Sequence, residues 1–284
     1  MTSCIPPPPP PPSPPSLHLT RRSLLFTSST LSLPTFPSLS ATPPPNTTIT
    51  DRVFMDFSLC PTSFLPNRDT VCSDSTPLGR VVLGLYGNLV PLTVSNFKSL
   101  CLASSDPSSS SYKNTLVHKL FPGRYFLAGR QGRPDKGEVR SPLNLPRNTE
   151  TINPNAFALT HSGPGVVSLS LSENDDDEEI KLDPLYRNVE FLITTGPGPC
   201  PDLDNKNIVF GTVLEGLDVI TAIASIPTYK PSERIRQFND LAEFFGDDRA
   251  QNARSIWNKP LKIVYISDCG ELKVAKPSLT PSLP

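Results

Sequence analysis

Residues 79–101 read Gly79-Arg80-Val81-Val82-Leu83-Gly84-Leu85-Tyr86-Gly87-Asn88-Leu89-Val90-Pro91-Leu92-Thr93-Val94-Ser95-Asn96-Phe97-Lys98-Ser99-Leu100-Cys101. The first eight are rich in β-branched and large apolar residues, which predicts a strand. Pro91 suits a first helical turn, where its missing N–H is not needed. Val94, Phe97 and Cys101 then recur at i, i+3 and i+7, with Leu100 beside them. That spacing predicts a helix with one buried face.

Outward from this stretch the chain is mostly short strands. Residues 52–59 predict a strand antiparallel to 79–86, joined by an enlarged loop that carries Pro61, Pro66 and Pro77. Beyond the helix, a loop at 104–111 precedes strands at 115–120 and 125–128. Residues 130–155 are turn-rich, with Pro134, Pro142, Pro146 and Pro154. Strands at 166–171, 189–194 and 208–213, a helix at 216–224 and a closing strand at 261–267 complete the pattern. Crossover helices are missing, so the fold class is mainly β, a closed antiparallel barrel. Residues 231–258 interrupt the rhythm. Phe238, Leu241, Ala242 and Phe245 follow helical spacing after Ser232, a capable N-cap. Ala253, Ile256 and Trp257 form a second short apolar set. One or two amphipathic helices are expected there, either covering barrel surface or anchoring a partner.

Five segments together resemble the cyclophilins, a family of peptidyl-prolyl cis-trans isomerases. They are Gly79–Tyr86, Val90–Phe97, His161-Ser162-Gly163-Pro164-Gly165-Val166-Val167-Ser168, Phe210-Gly211-Thr212-Val213-Leu214-Glu215-Gly216, and Ile266-Ser267-Asp268-Cys269-Gly270. Their order and spacing follow the family over about residues 51–229 and 259–273. The resemblance implies an eight-stranded closed barrel capped by two helices over residues 51–273. Residues 231–258 are then a helical insertion, and 274–284 a disordered tail.

The resemblance also implies the chemistry. Rotation about an X-Pro amide crosses a barrier of ~18–20 kcal/mol, because resonance is lost. No bond breaks, so no nucleophile, general base, cofactor or metal is required. An apolar slot for the proline ring is required, with fixed donors that favour the twisted amide over the planar one. Carried over residue by residue, the family's Phe-His-Arg strand is Val117-His118-Lys119, which puts Lys119 in place of the arginine. Lysine keeps the charge and loses the planar fork. The Phe-Met-x-Gln-Gly-Gly stretch is Arg124-Tyr125-Phe126-Leu127-Ala128-Gly129, without its glutamine; Tyr125 and Phe126 remain as pocket walls. Glu190-Phe191-Leu192 replaces Gln-Phe-Phe; the resemblance implies that all three, with Ser170, Leu171 and Leu203, are substrate-binding positions, and Leu192 keeps an apolar floor. In the Trp-Leu-Asp-Gly-x-His segment, Asp202-Leu203-Asp204-Asn205-Lys206-Asn207, the tryptophan is gone and Asn207 replaces the histidine. Ser170-Leu171 replaces Ala-Asn. His118 and His161 read as structural. This pattern implies weak or lost isomerisation with proline binding surviving. Two functions follow: a peptidyl-prolyl isomerase, or a non-catalytic assembly factor that holds proline-containing segments.

Composition narrows the setting. Lys and Arg number 26 against 27 Asp and Glu, which argues against nucleic acid as partner. No run of 18 or more apolar residues predicts a spanning helix. Residues 1–50 hold 14 of the 35 prolines and 18 Ser or Thr, no Asp, Glu or Lys, and only Arg21 and Arg22 as charges. That composition fits a chloroplast transit peptide. Paired Arg21-Arg22, the apolar stretch from Leu24 to Leu33 and small residues at 38–41 fit a twin-arginine signal for the thylakoid lumen. The alternative is a disordered leader with two chance arginines. The run Glu173-Asn174-Asp175-Asp176-Asp177-Glu178-Glu179 lacks the spaced ligands and turn glycine of a calcium loop, and reads as a solvated or partner-facing loop. No cysteine pair has C-x-x-C spacing, so a zinc site is not expected. Cys101 and Cys269 fall at apolar positions and read as buried thiols. Cys60 and Cys72 bracket the enlarged hairpin loop. They are expected either as a disulfide in an oxidising compartment or as two independent thiols.

Overall fold

A computed structural model of the chain describes residues 44–60, 72, 74–102, 109–171 and 186–273. The leader up to residue 43, the acidic run at 173–179 and the tail from 274 lie outside the described residues. Eight antiparallel strands form one sheet: β1 (Asp51–Cys60), β2 (Thr76–Leu85), β3 (Val117–Phe121), β4 (Tyr125–Ala128), β5 (Val166–Leu169), β6 (Phe191–Thr194), β7 (Ile208–Glu215) and β8 (Ile263–Leu272). Their order is β3-β4-β6-β5-β7-β2-β1-β8. The two edges approach each other just ahead of β3. Leu116 bridges Tyr265, Asn114 N–H donates to Ile266 O at 2.7 Å, and Ile266 N–H donates to Thr115 O at 2.9 Å. The sheet is therefore a nearly closed barrel, as the strand pattern requires.

Among the described residues four helices accompany it: α1 (Pro91–Leu102), α2 (Leu217–Ala224), α3 (Glu233–Phe244) and α4 (Asp248–Ser255). Helix α1 buries Val94, Phe97, Leu100 and Cys101, the face its spacing predicts. Its first turn has no acidic residue of its own. Glu150, from a neighbouring 3-10 turn, accepts from Leu92 N–H and Thr93 N–H, both at 2.8 Å. A carboxylate there satisfies orphan donors and complements the helix dipole. Phe97 drives the packing. Its ring lies 4.8 Å from Phe210, 5.1 Å from Tyr112 and 5.3 Å from Phe191, centroid to centroid. Helix α2 starts at Gly216, whose φ of 87° is left-handed. A Cβ at Gly216 would also overlap the Arg80 carbonyl, so glycine is required on both counts.

The packed body begins earlier than residue 51. Ile49 is buried with Tyr86, Val166 and Val209, and Thr50 N–H donates to Leu85 O at 3.0 Å. The insertion also departs from one of its two expectations. Ser232 caps α3, its hydroxyl accepting from Ile235 N–H. The polar side of α3 then faces α4: Arg254 pairs with Asp240 and Glu243, and Arg236 lies 6.0 Å over the Trp257 ring. The apolar stripe points outward, with Phe238 60% and Phe245 76% exposed. Those side chains do not cover the barrel. Among the described residues, no helix is long and apolar enough to cross a membrane.

Candidate active groove

Strand register divides the site residues between two faces. Phe126 pairs with Ile193, which pairs with Val167, and all three are in the barrel core. Ala128, Phe191 and Leu169 form the next interior row. Phe126 and Phe191 therefore do not line a groove, a correction to the sequence reading. Side chains alternate along a strand, and these two point inward. The opposite face carries Lys119, Leu127, Leu192 and Ser168 in one row, with Tyr125 beside them.

On that outer face a second apolar cluster forms from Tyr125, Leu127, Leu192, Cys200 and Leu203. Phe121 packs against it, its ring 4.6 Å from Tyr125. Tyr125 is 1% exposed, and Leu127, Leu192 and Leu203 are 0% exposed. Proline needs an apolar slot of this composition, but the floor is covered. Arg124 and Asp202 form an ion pair at its edge, and the Arg124 guanidinium carbon lies 5.3 Å over the Tyr125 ring. The Arg124 bond holds the Asp202 carboxyl below the usual carboxylate range.

The polar members of the site lie deeper than the sequence implied. Glu190 is 1% exposed, and His118 Nε2 stands 2.5 Å from its Oε1. A carboxylate this deeply buried requires such a neighbour. Its Oε2 and the Ser170 hydroxyl have no hydrogen-bond partner among the described residues. Ser170 N–H donates to Glu190 O at 2.9 Å. Asn207 is fully buried and works as a brace. Its Oδ1 accepts from Leu171 N–H at 2.8 Å, and its Nδ2 donates to Leu203 O at 3.4 Å. Leu171 packs against the barrel core. Lys119 is half-buried on β3, opposite Leu127 and beside a register shift.

Sequence reasoning missed one constellation. Ser168 Oγ is 2.9 Å from His161 Nε2, and Asp204 Oδ1 is 2.8 Å from His161 Nδ1. This is the connectivity of a hydrolytic triad. However, Ser168 and His161 have no exposed surface, so no substrate carbonyl can reach the hydroxyl. Burial pushes the His161 pKa below its ordinary 6.5, against the opposing pull of Asp204. His161 N–H also donates to Asp204 at 2.7 Å, so the set pins the His161 turn to the segment carrying Leu203 and Asn207. Arg124 and Asp202 were missed as a pair too. The available signal was opposite charge at the ends of two proline turns, Pro122-Gly123-Arg124 and Pro201-Asp202. No group of three or more potential metal ligands stands together among the described residues.

Cys60 and Cys72 are joined by a disulfide, with Cα atoms 5.9 Å apart. Cys101 is buried, as expected, whereas Cys269 is only half-buried. Cys269 Sγ donates to the Cys101 carbonyl at 3.6 Å, and burial first and then Cys269 push the Cys101 pKa well up.

A nearly closed eight-stranded antiparallel barrel, with an apolar cluster on the outer face of β3, β4 and β6, defines a cyclophilin-type architecture. The family profile for the cyclophilin type peptidyl-prolyl cis-trans isomerase/CLD matches residues 71–239. The chain is 68% identical over 251 residues to the chloroplastic peptidyl-prolyl cis-trans isomerase CYP28 of Arabidopsis thaliana, covering 85% of this chain and 88% of that one. It is 32% identical over 200 residues to peptidyl-prolyl cis-trans isomerase D of Saccharomyces cerevisiae, covering 69% and 67%. A 162-residue match at 28% identity to the human E3 SUMO-protein ligase RanBP2 covers 57% of this chain and 4% of that protein. The chain belongs to the cyclophilin-type peptidyl-prolyl cis-trans isomerase family.

Proposed function

We propose that this protein is a chloroplast peptidyl-prolyl cis-trans isomerase of the thylakoid lumen with weak turnover, acting on proline-containing polypeptides. The observation that carries this reading is the split between floor and donors. Tyr125, Leu127, Leu192 and Leu203 supply an apolar floor of the chemistry a proline ring needs. The polar positions around it hold Lys119, Glu190 and Asn207. Asn207 is spent on bracing two loops, and Glu190 is an acceptor, not a donor, when ionised. Losing one well-placed donor typically costs about 10²–10³ in rate. The leader composition and the chloroplastic relative support the compartment.

The test is cis–trans exchange of a short X-Pro peptide by residues 44–284, against an uncatalysed control. Weak acceleration is expected. Lys119→Arg alone should not restore it, because Leu127 and Asn207 stay in place. Robust exchange by the wild type would remove the weakened-site reading.

A second reading is a non-catalytic assembly factor for thylakoid proteins, and one observation favours it. The uncovered stripe of α3 presents Ile235, Phe238, Leu241 and Phe245 to solvent. The insertion carries four Arg against five acidic residues, which fits the apolar surface of a client protein better than an anionic lipid surface. Peptide binding with no exchange above background would select this reading.

A further inference from the structure

The floor of the groove is closed by a charge pair, and each partner is the chain neighbour of a floor residue. Arg124 precedes Tyr125 at the tip of the β3–β4 hairpin. Asp202 precedes Leu203 in the 3-10 turn Pro201–Leu203. Their ion pair joins the hairpin to the turn directly above the cluster. Cys200, also in the cluster, has its Sγ 3.8 Å from Arg124 O. Parting Arg124 from Asp202 therefore uncovers the edge of the floor.

The pair is built to exchange. Its side chains are 43% and 51% exposed, and ion pairs that open to water contribute little net stability. Asp202 also lies in the field of Lys206, so two cations face one carboxylate. When Arg124 lets go, the field of Lys206 still acts on Asp202. Arg124 then offers a planar fork that matches a carboxylate in two parallel bonds.

We propose that Arg124–Asp202 is an exchangeable latch across the groove, opened by proline segments that carry an acidic side chain beside the proline. The ligand carboxylate takes Arg124, Asp202 falls to Lys206, and the proline ring enters against Tyr125, Leu127, Leu192 and Leu203. This rests on the groove assigned above and adds its substrate class and its specificity-determining residue.

Cys200 is 4% exposed and lies inside the closed cluster, so its alkylation rate, divided by the thiolate fraction measured for Cys200 in each variant, reads opening without any need for turnover. N-ethylmaleimide labelling followed by peptide mapping separates it from Cys101 and Cys269. Asp202→Asn and Arg124→Ala should each speed Cys200 labelling by about two- to fivefold, with circular dichroism checking that the fold is kept. An unchanged rate in both folded variants overturns the latch. In a wild-type NMR titration at low salt, Ala-Glu-Pro-Phe should bind roughly tenfold more tightly than Ala-Lys-Pro-Phe. Arg124→Ala should erase that preference. Equal affinity for the two peptides, including none for either, overturns the acidic selection. Acid-selective binding without exchange removes the isomerase reading and leaves this one; exchange without preference does the reverse.

Discussion

His161 shows how one residue ties site to stability. It has no exposed surface, and both ring nitrogens are engaged, one by Asp204 and one by Ser168. Burial lowers its pKa below 6.5, so the unfolded chain takes up a proton at a pH where the folded chain does not. Stability from this residue is complete above about pH 6.5 and is lost as pH falls through the lowered folded value. The slope cannot exceed ~1.4 kcal/mol per pH unit for one proton. Urea midpoints taken from pH 7.5 down to 5 should therefore fall on acidification. His161→Asn should start lower, by about 1–3 kcal/mol for the broken hydrogen bonds, and should fall less steeply below pH 6.5. Parallel slopes in the two proteins would exclude His161 as the titrating group. The residues around it illustrate what sequence could not reveal. Lys119, Asn207 and Leu192 are singled out by their places in motifs, but Asn207 as a brace depends on where Leu171 and Leu203 arrive in space.

At the scale of elements, legibility followed periodicity. Helix α1 was readable because only one face is apolar. Strands β4 and β6 were readable as strands, but all four residues in each are buried. A run without alternation hides which side chains face inward, so Phe126 and Phe191 passed for pocket aromatics. Helix α3 failed in the opposite way. Its spacing correctly announced an apolar face, and nothing in spacing says whether another element covers it. Exposure makes the next prediction: Phe238→Ser with Phe245→Ser should change unfolding free energy by no more than about 0.5 kcal/mol per site. Phe97→Ala, among the rings of Tyr112, Phe191 and Phe210, should cost about 3–5 kcal/mol. Denaturant titration of the two proteins makes the comparison. A multi-kcal/mol loss in the double serine variant would mean that the stripe is packed against the body.

For the whole molecule, compartment and covalent structure are linked through one loop. Strands β1 and β2 are antiparallel neighbours, with Leu59 opposite Thr76, so the loop between them leaves and returns at one place. Its cysteines, 12 residues apart, sit within bridging distance. In the chain-entropy model, closing a loop of that length stabilises the fold by about 3 kcal/mol, less any native strain. The bond persists only where thiols are oxidised, so on the proposed lumenal reading the targeting of the chain decides whether the folded protein has it. Chloroplast import of the full chain should yield a processed lumenal protein whose non-reducing peptide map contains the Cys60–Cys72 pair. Arg21→Lys with Arg22→Lys should leave envelope passage intact, halt the protein in the stroma and leave both thiols reduced. The two arginines lie 39 and 38 residues before Cys60 in sequence, so a direct effect on the bond is not available to explain that outcome. Lumenal processing of the double lysine form would remove the twin-arginine route. A lumenal wild-type protein with both thiols free would remove the disulfide and leave the route standing.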